Sequence, residues 1–180
     1  MSERITAHFL LLDRARVVRD DAGARALVAA ALADEPQGGR LRRATSTGAW
    51  LPMLTAELCR RWSIEGLGFL ADDLRVLAPP ECERAARAVD ALLARLEAGD
   101  RPRDPRGLGD QWHLIISPAD LAEFLRELHP SAEVDEENGE DFAFLQFLVN
   151  VQIAAGDAIE SESSLLYWCC LEWPSPRPEA

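Results

Sequence analysis

The sequence predicts a single α+β domain in which a small, mostly antiparallel sheet packs against about five helices. The length of 180 residues is that of one ordinary domain, and 48% apolar residues can supply a core of that size. Strand-like and helical segments follow one another irregularly, which favours α+β over a doubly wound parallel sheet. No internal repeat and no long linker divides the chain.

The elements are predicted from apolar density and periodicity. Strand-like apolar segments occur at residues 5–12, 64–70, 74–78, 112–116 and 164–172. Helical periodicity occurs at about residues 20–33, 52–62, 79–98, 117–128 and 141–157. The last of these helices is apolar almost all round, which predicts that it is the buried central helix. We expect the domain to span residues 1–173 and the Pro-rich residues 174–180 to form a disordered tail.

The charged residues are unusual in kind. The chain has 19 basic and 31 acidic residues, a net charge of −12, and every basic residue is an arginine. Because lysine serves equally well on a solvated face, its absence, together with abundant Ala, Leu, Gly and Pro, indicates a GC-rich bacterial genome. A haloarchaeal source is the alternative, and the four cysteines and five tryptophans argue against it.

The cysteines and the N-terminus favour a protein of the reducing cytoplasm. Cys59, Cys82, Cys169 and Cys170 show no paired framework, so we expect reduced, buried thiols. The apolar run at residues 9–12 is too short for a signal peptide. No stretch reaches the ~18 apolar residues that a membrane helix needs. We therefore expect a cytoplasmic protein with no membrane partner.

No motif specifies a catalytic or metal site. His8, His113 and His129 are far apart, and none has a second ligand at the spacing of a zinc site. A calcium loop fails because Val134 and Leu145 occupy positions that require carboxylates. Nucleophile-elbow and zinc-protease motifs are missing, and without lysine there is no phosphate-loop lysine or Schiff base. We expect no cofactor, and binding rather than catalysis.

Two polar groups fit a structural role as readily as a chemical one. Asp72 and Asp73 suit a general-base pair or a turn that caps an element. Gln146, Asn150 and Asp157 fall within about 40° of one another on the last helix. They predict a buried hydrogen-bonded network, a solvent edge or the lining of a cleft.

Charges of opposite sign are segregated along the chain. Residues 1–61 carry ten arginines and seven acids, whereas residues 62–180 carry nine arginines and 24 acids. Residues 127–176 contain 11 acids and no basic residue. Crowded like charges destabilise a surface, but a negative face speeds encounter with basic partners and repels nucleic acid. The candidate partner-binding residues are Glu133, Asp135, Glu136, Glu137, Glu140, Asp141, Asp157, Glu160 and Glu162.

The first functional hypothesis is a non-catalytic binding protein whose acidic C-terminal surface engages a basic protein partner. The small, cytoplasmic, acidic and motif-free profile is similar to that of immunity proteins that neutralise cationic interbacterial toxins such as nucleases. The alternative explanation is a solvated acidic loop that serves only solubility. Nucleic acid is not an expected partner at a net charge of −12.

The second hypothesis is a small-molecule anion-binding protein or enzyme. Residues 34–49 contain a proline and three glycines and are predicted to form a loop. Glycine amides, guanidinium groups and hydroxyls within residues 38–48 suit a phosphate or carboxylate. The alternative is that these arginines form salt bridges with the acidic half of the chain. The candidate anion-binding residues are Arg40, Arg42, Arg43, Thr45 and Ser46.

The third hypothesis is a structural, homo-oligomeric subunit such as a homodimer. Trp168 and Trp173 lie in or beside the last predicted strand. Exposed aromatic side chains on an edge strand favour pairing with a second copy.

Overall fold

The computed structural model describes residues 4–13, 17–33, 40–47, 51–98, 100 and 140–172, which form an α+β fold. In chain order the elements are β1 (Arg4–Leu12), α1 (Asp21–Ala33), β2 (Leu41–Thr47), α2 (Leu51–Arg61), a 3₁₀ helix (Gly68–Ala71), β3 (Leu74–Leu77), α3 (Pro79–Glu97), α4 (Glu140–Glu160) and β4 (Ser164–Glu172). The described residues thus hold four α-helices beside one sheet. No helix among them is long and apolar enough to cross a membrane.

The four strands form one antiparallel sheet in the order β2-β1-β4-β3. β1 pairs with β4 along its whole length, with Leu12 opposite Ser164 at one end. Side chains alternate across the sheet. In β1, Phe9 faces the main core and Leu10 faces the opposite side.

The main core lies between the sheet and the helices α2, α3 and α4. α4 packs along α3 and also contacts β1, β2 and β4. At its centre, the ring of Phe9 lies 5.5 Å from Tyr167 and 6.2 Å from Phe147. The buried Tyr167 hydroxyl donates a hydrogen bond to the carbonyl of Leu70 at 3.3 Å, which satisfies its polar end. Burial raises the pKa of this phenol.

The opposite face of the sheet packs against α1 through Val28 and Ala24. Trp168 of β4 is 3% exposed, and its indole N–H donates to Asp21 Oδ1 at 2.6 Å. The ring also stacks on His8 at 4.9 Å between centroids. The hydrogen bond to Asp21 thus connects the first turn of α1 to a central strand of the sheet.

Local signals in the sequence placed several elements correctly. Asp20 Oδ1 accepts a hydrogen bond from the Gly23 amide at 2.8 Å and so caps α1, a role for which aspartate is favoured. Glu83 and Arg87, four residues apart on the exposed face of α3, form an ion pair at 3.0 Å. The strands predicted over residues 74–78 and 164–172 correspond to β3 and β4.

The structure corrects the prediction at two segments. Residues 41–47 were expected to form a loop and instead form β2, because their backbone pairs with β1 from Leu41 opposite Leu10 onward. Residues 64–70 were expected to form a strand and instead form a turn that leads into the 3₁₀ helix. In that turn Gly66 adopts φ 121°, a conformation that an ordinary strand residue does not take.

The structure also changes the evidence for a homo-oligomeric subunit, which rested on tryptophans at an edge strand. β4 lies between β1 and β3, so within the described sheet it is a central strand and not an edge. Trp168 is buried inside the domain and does not mark an exposed edge. The structural-subunit hypothesis therefore loses the observation from which it came. Trp173 lies outside the described residues, as do the predicted elements at 112–116 and 117–128 and the predicted tail.

Two helices end in a left-handed residue that is not glycine. Ser63 follows α2 with φ 55°, and Glu162 follows α4 with φ 51°. In the turn after α2, the Ile64 amide donates to the Cys59 carbonyl at 2.8 Å, as in a common helix-ending motif. Glycine takes this conformation without a Cβ clash, so each side chain costs about 1 kcal/mol.

We therefore expect Ser63→Gly to raise the free energy of unfolding by about 1 kcal/mol in urea denaturation. Gly66→Ala is the opposite control, because a Cβ there would lie 2.5 Å from the Arg84 carbonyl oxygen at φ 121°. This change should lower the free energy of unfolding by more than about 1 kcal/mol. A Ser63→Gly protein no more stable than the parent would contradict the strain argument.

A second prediction concerns Glu57 in α2. Hydrogen bonds from Arg60 and Arg61, each as short as 2.7 Å, lower its pKa from the ordinary 4.5 to about 2. A lowered folded-state pKa stabilises the fold above about 4.5, and that contribution disappears as the pH falls towards 2. The difference in unfolding free energy between the parent and Glu57→Gln should shrink over this window. A difference in unfolding free energy between the two proteins that stays constant with pH would contradict this prediction.

Candidate functional site

An ion pair joins the two regions that the sequence singled out separately. Arg42 of β2 and Asp157 of α4 lie on the same face of the sheet, 115 residues apart in the chain. Arg42 Nε and Nη2 both donate to Asp157 Oδ2, at 3.2 Å and 3.1 Å. The side chains are 28% and 33% exposed, so water screens the pair only in part. A candidate anion-binding arginine thus neutralises a candidate partner-binding carboxylate.

The carboxyl end of α4 is acidic in spite of the helix dipole. Asp157 and Glu160 lie in its last turns, where no basic residue is present, and Glu162 follows directly. By contrast, α2 ends with Arg60 and Arg61, and the last turn of α3 also holds an arginine. Carboxylates at the negative end of a helix cost about 0.3–1 kcal/mol each. The acids at its carboxyl end therefore destabilise α4, whereas the arginines at the carboxyl ends of α2 and α3 stabilise those helices.

The remaining acidic candidates differ in what the structure describes. Glu160 and Glu162 are exposed, and Glu160 forms no ion pair with any described residue. Glu140 and Asp141 lie in the first turn of α4. The other four candidates lie outside the described residues: Glu133, Asp135, Glu136 and Glu137.

Four of the five candidate anion-binding residues lie on β2, and Arg40 lies directly before that strand. Arg40 pairs with Asp13 at 3.1 Å, and Arg43 lies opposite His8 in the register of β1 and β2. Thr45 and Ser46 belong to the same strand, so their backbone is committed to the sheet. A strand does not offer the converging amides of a glycine-rich anion loop. Arg40 and Arg42 instead bind carboxylates of the protein itself.

A cleft that the sequence did not indicate lies beside the start of α3. Its volume is about 330 Å³. Four charged side chains contribute to its wall, from the turn before β3, from β3 itself and from α3. The lining residues are Gly66, Gly68, Phe69, Asp72, Arg75, Leu77, Glu81 and Arg84.

Glu81, in the first turn of α3, contacts two residues beside the cleft. Glu81 Oε2 accepts a hydrogen bond from the Ala78 amide at 2.9 Å, and Glu81 Oε1 pairs with Arg75 at 3.6 Å. Asp72 was singled out in the sequence, whereas Arg75 and Arg84 were not. Arg75 and Arg84 line the same cleft because β3 and α3 contact each other, and no spacing rule in the sequence indicates that placement.

All four cysteines are free thiols. Cys59, Cys82 and Cys169 are buried as expected, and Cys170 is half-buried. Burial raises the pKa of Cys59 and of Cys82 to about 11, so both thiols stay protonated and weakly nucleophilic at neutral pH. Among the described residues, no group of three or more His, Cys, Asp or Glu side chains is placed to hold a metal ion.

Comparison of the chain with protein-family profiles, with curated proteins and with solved structures finds no match. Arguments about function therefore rest on the chain's own residues.

The Arg42 and Asp157 pair gives a testable coupling. In a double-mutant cycle of Arg42→Gln and Asp157→Asn, we expect a coupling free energy of about 0.5–1 kcal/mol, because both groups are partly screened by water. Urea denaturation at low and high salt measures it, and the coupling should fall as salt rises. Strictly additive effects would show that the two side chains do not hold each other in solution.

Proposed function

We propose that this chain is a non-catalytic bacterial binding protein of the immunity or antitoxin type, which engages a basic protein partner through an acidic surface. The proposed contact residues lie in two acidic segments: the run at residues 133–141, which ends in the first turn of α4, and the carboxyl end of that helix. The observation that carries the proposal is the placement of acids at the end of α4, where the helix dipole disfavours them. Stability alone favours the opposite arrangement, which α2 has.

The charge balance around α4 identifies the residues that contribute most. Arg42 already neutralises Asp157, so that carboxylate adds little to the external field. Glu160 is exposed and has no ion pair with a described residue. Glu162 is also exposed and occupies a left-handed position that glycine would fill at lower cost. We infer that Glu160 and Glu162 are the main contacts at this end of the surface.

The physical role of such a surface is steering. A bare negative face attracts a cationic partner over about one Debye length and raises the association rate by ~10–10³-fold. The absence of any basic residue from 127 to 176 keeps this field from being cancelled locally along the chain. A toxin that binds nucleic acid presents a complementary positive surface, so an acidic protein can block it by occupying that surface.

The experiment measures binding to the products of the neighbouring genes by co-purification and calorimetry at two salt concentrations. The test variant is Glu160→Gln with Glu162→Gln. The matched control is Glu65→Gln with Glu97→Gln, which removes the same charge at two exposed acids outside α4. We expect the test variant to weaken binding by about tenfold, mainly through the association rate, and the control to weaken it by much less.

A further variant neutralises the acidic run at Glu133, Asp135, Glu136 and Glu137 together. Affinity that survives both this change and the change at Glu160 and Glu162 would count against the acidic surface. Equal losses in test and control would indicate a general effect of net charge and not a binding face. Failure of every neighbouring gene product to bind would count against an immunity role.

A further inference from the structure

The cleft beside the start of α3 carries charges of both signs in equal number. Asp72 and Glu81 are acidic, and Arg75 and Arg84 are basic. A simple anion would meet two carboxylates there, and a simple cation would meet two guanidinium groups. The lining therefore suits a ligand that itself carries one positive and one negative group.

Two of the four charges are already used within the protein. Arg75 and Glu81 pair with each other, and Glu81 also accepts the Ala78 amide. The side chains of Asp72 and Arg84 make no ion pair or hydrogen bond with any described residue, including each other. The carboxylate of Asp72 and the guanidinium group of Arg84 thus line the same cleft and are available to bind a ligand.

The backbone on both sides of the cleft is fixed. Gly66 packs so closely on α3 that a Cβ there would lie 2.5 Å from the Arg84 carbonyl oxygen. The Asp72 amide donates to the Phe69 carbonyl at 3.0 Å, and the next carbonyl, that of Asp73, accepts the Cys169 amide of β4 at 2.8 Å. The backbone that carries Asp72 and Arg84 is therefore fixed. This lowers the entropic cost of binding a ligand between the two side chains.

The size and floor of the cleft limit the ligand further. Its volume of about 330 Å³ is at the small end of ligand pockets in proteins. Phe69 and Leu77 contribute apolar surface beneath the charged rim, and both are largely buried. That space is of the size of one amino acid.

We propose that this cleft binds a free α-amino acid. The Arg84 guanidinium donates charge-assisted hydrogen bonds to the ligand carboxylate, Asp72 accepts hydrogen bonds from the ligand ammonium, and the ligand side chain lies over Phe69 and Leu77. This site is separate from the acidic surface at the end of α4 and does not depend on the proposed partner.

The experiment screens each standard L-α-amino acid at about 10 mM by thermal shift and by calorimetry. For a dissociation constant of ~1 mM, the best ligand should raise Tm by about 3–6 °C. Two derivatives of that ligand follow: the N-acetyl form, which lacks the ammonium, and the amide, which lacks the carboxylate. Each should bind at least about tenfold more weakly, because each leaves one open charge without its partner.

Matched variants locate the site. Arg84→Gln and Asp72→Asn should each weaken binding at least about tenfold. The controls are Arg87→Gln, which lies almost one helical turn from Arg84, and Asp73→Asn, next to Asp72; neither residue lines the cleft, and binding should persist. All four side chains are exposed, so we expect the variants to fold, which circular dichroism checks.

Absence of a shift and of heat with every amino acid would overturn the proposal. Binding that survives both Arg84→Gln and Asp72→Asn would also overturn it, since it would place the ligand elsewhere. N-acetyl and amide derivatives that bind as tightly as the free amino acid would show that the paired charges do not recognise the ligand.

Discussion

The burial of β4 on both of its faces is the constraint on which the rest of the structure depends. Five consecutive residues, from Leu165 to Cys169, are buried. Successive side chains of a strand point to opposite sides, so apolar cover is needed above and below the sheet. α3 and α4 supply it on one side and α1 on the other. The polar groups of this strand then find partners within the domain, as Tyr167 does at Leu70 and Trp168 at Asp21.

Elements with their own apolar pattern were predictable from the sequence. α4 is apolar almost all round and β4 is continuously apolar, so both could be placed before their neighbours were known. β2 carries adjacent arginines at Arg42 and Arg43, and its residues resemble those of a loop. It becomes a strand because β1 offers it a row of backbone partners. That cause lies in another part of the chain, beyond the reach of a local pattern.

The candidate sites also divide into those that a local pattern in the sequence predicts and those that depend on the fold. Charge segregation along the sequence is real, but the fold brings Arg42 of the basic part onto Asp157 of the acidic part, so some of it is cancelled in space. The acidic end of α4 was predictable because it needs only consecutive residues. The cleft was not, because its charges come from three elements that meet at the turn before α3. Sites built within one element can be found by spacing, and sites built between elements need the fold.

The pairing of β1 with β4 also governs when this protein can fold. Strands near opposite ends of the chain are neighbours in the sheet, with His8 opposite Trp168 across 160 positions. During synthesis the first strand leaves the ribosome long before its central partner exists, and it must wait with an apolar surface exposed. Completion of the sheet therefore has to follow the synthesis of β4, and a chain that stops before residue 164 has no strand to insert between β1 and β3.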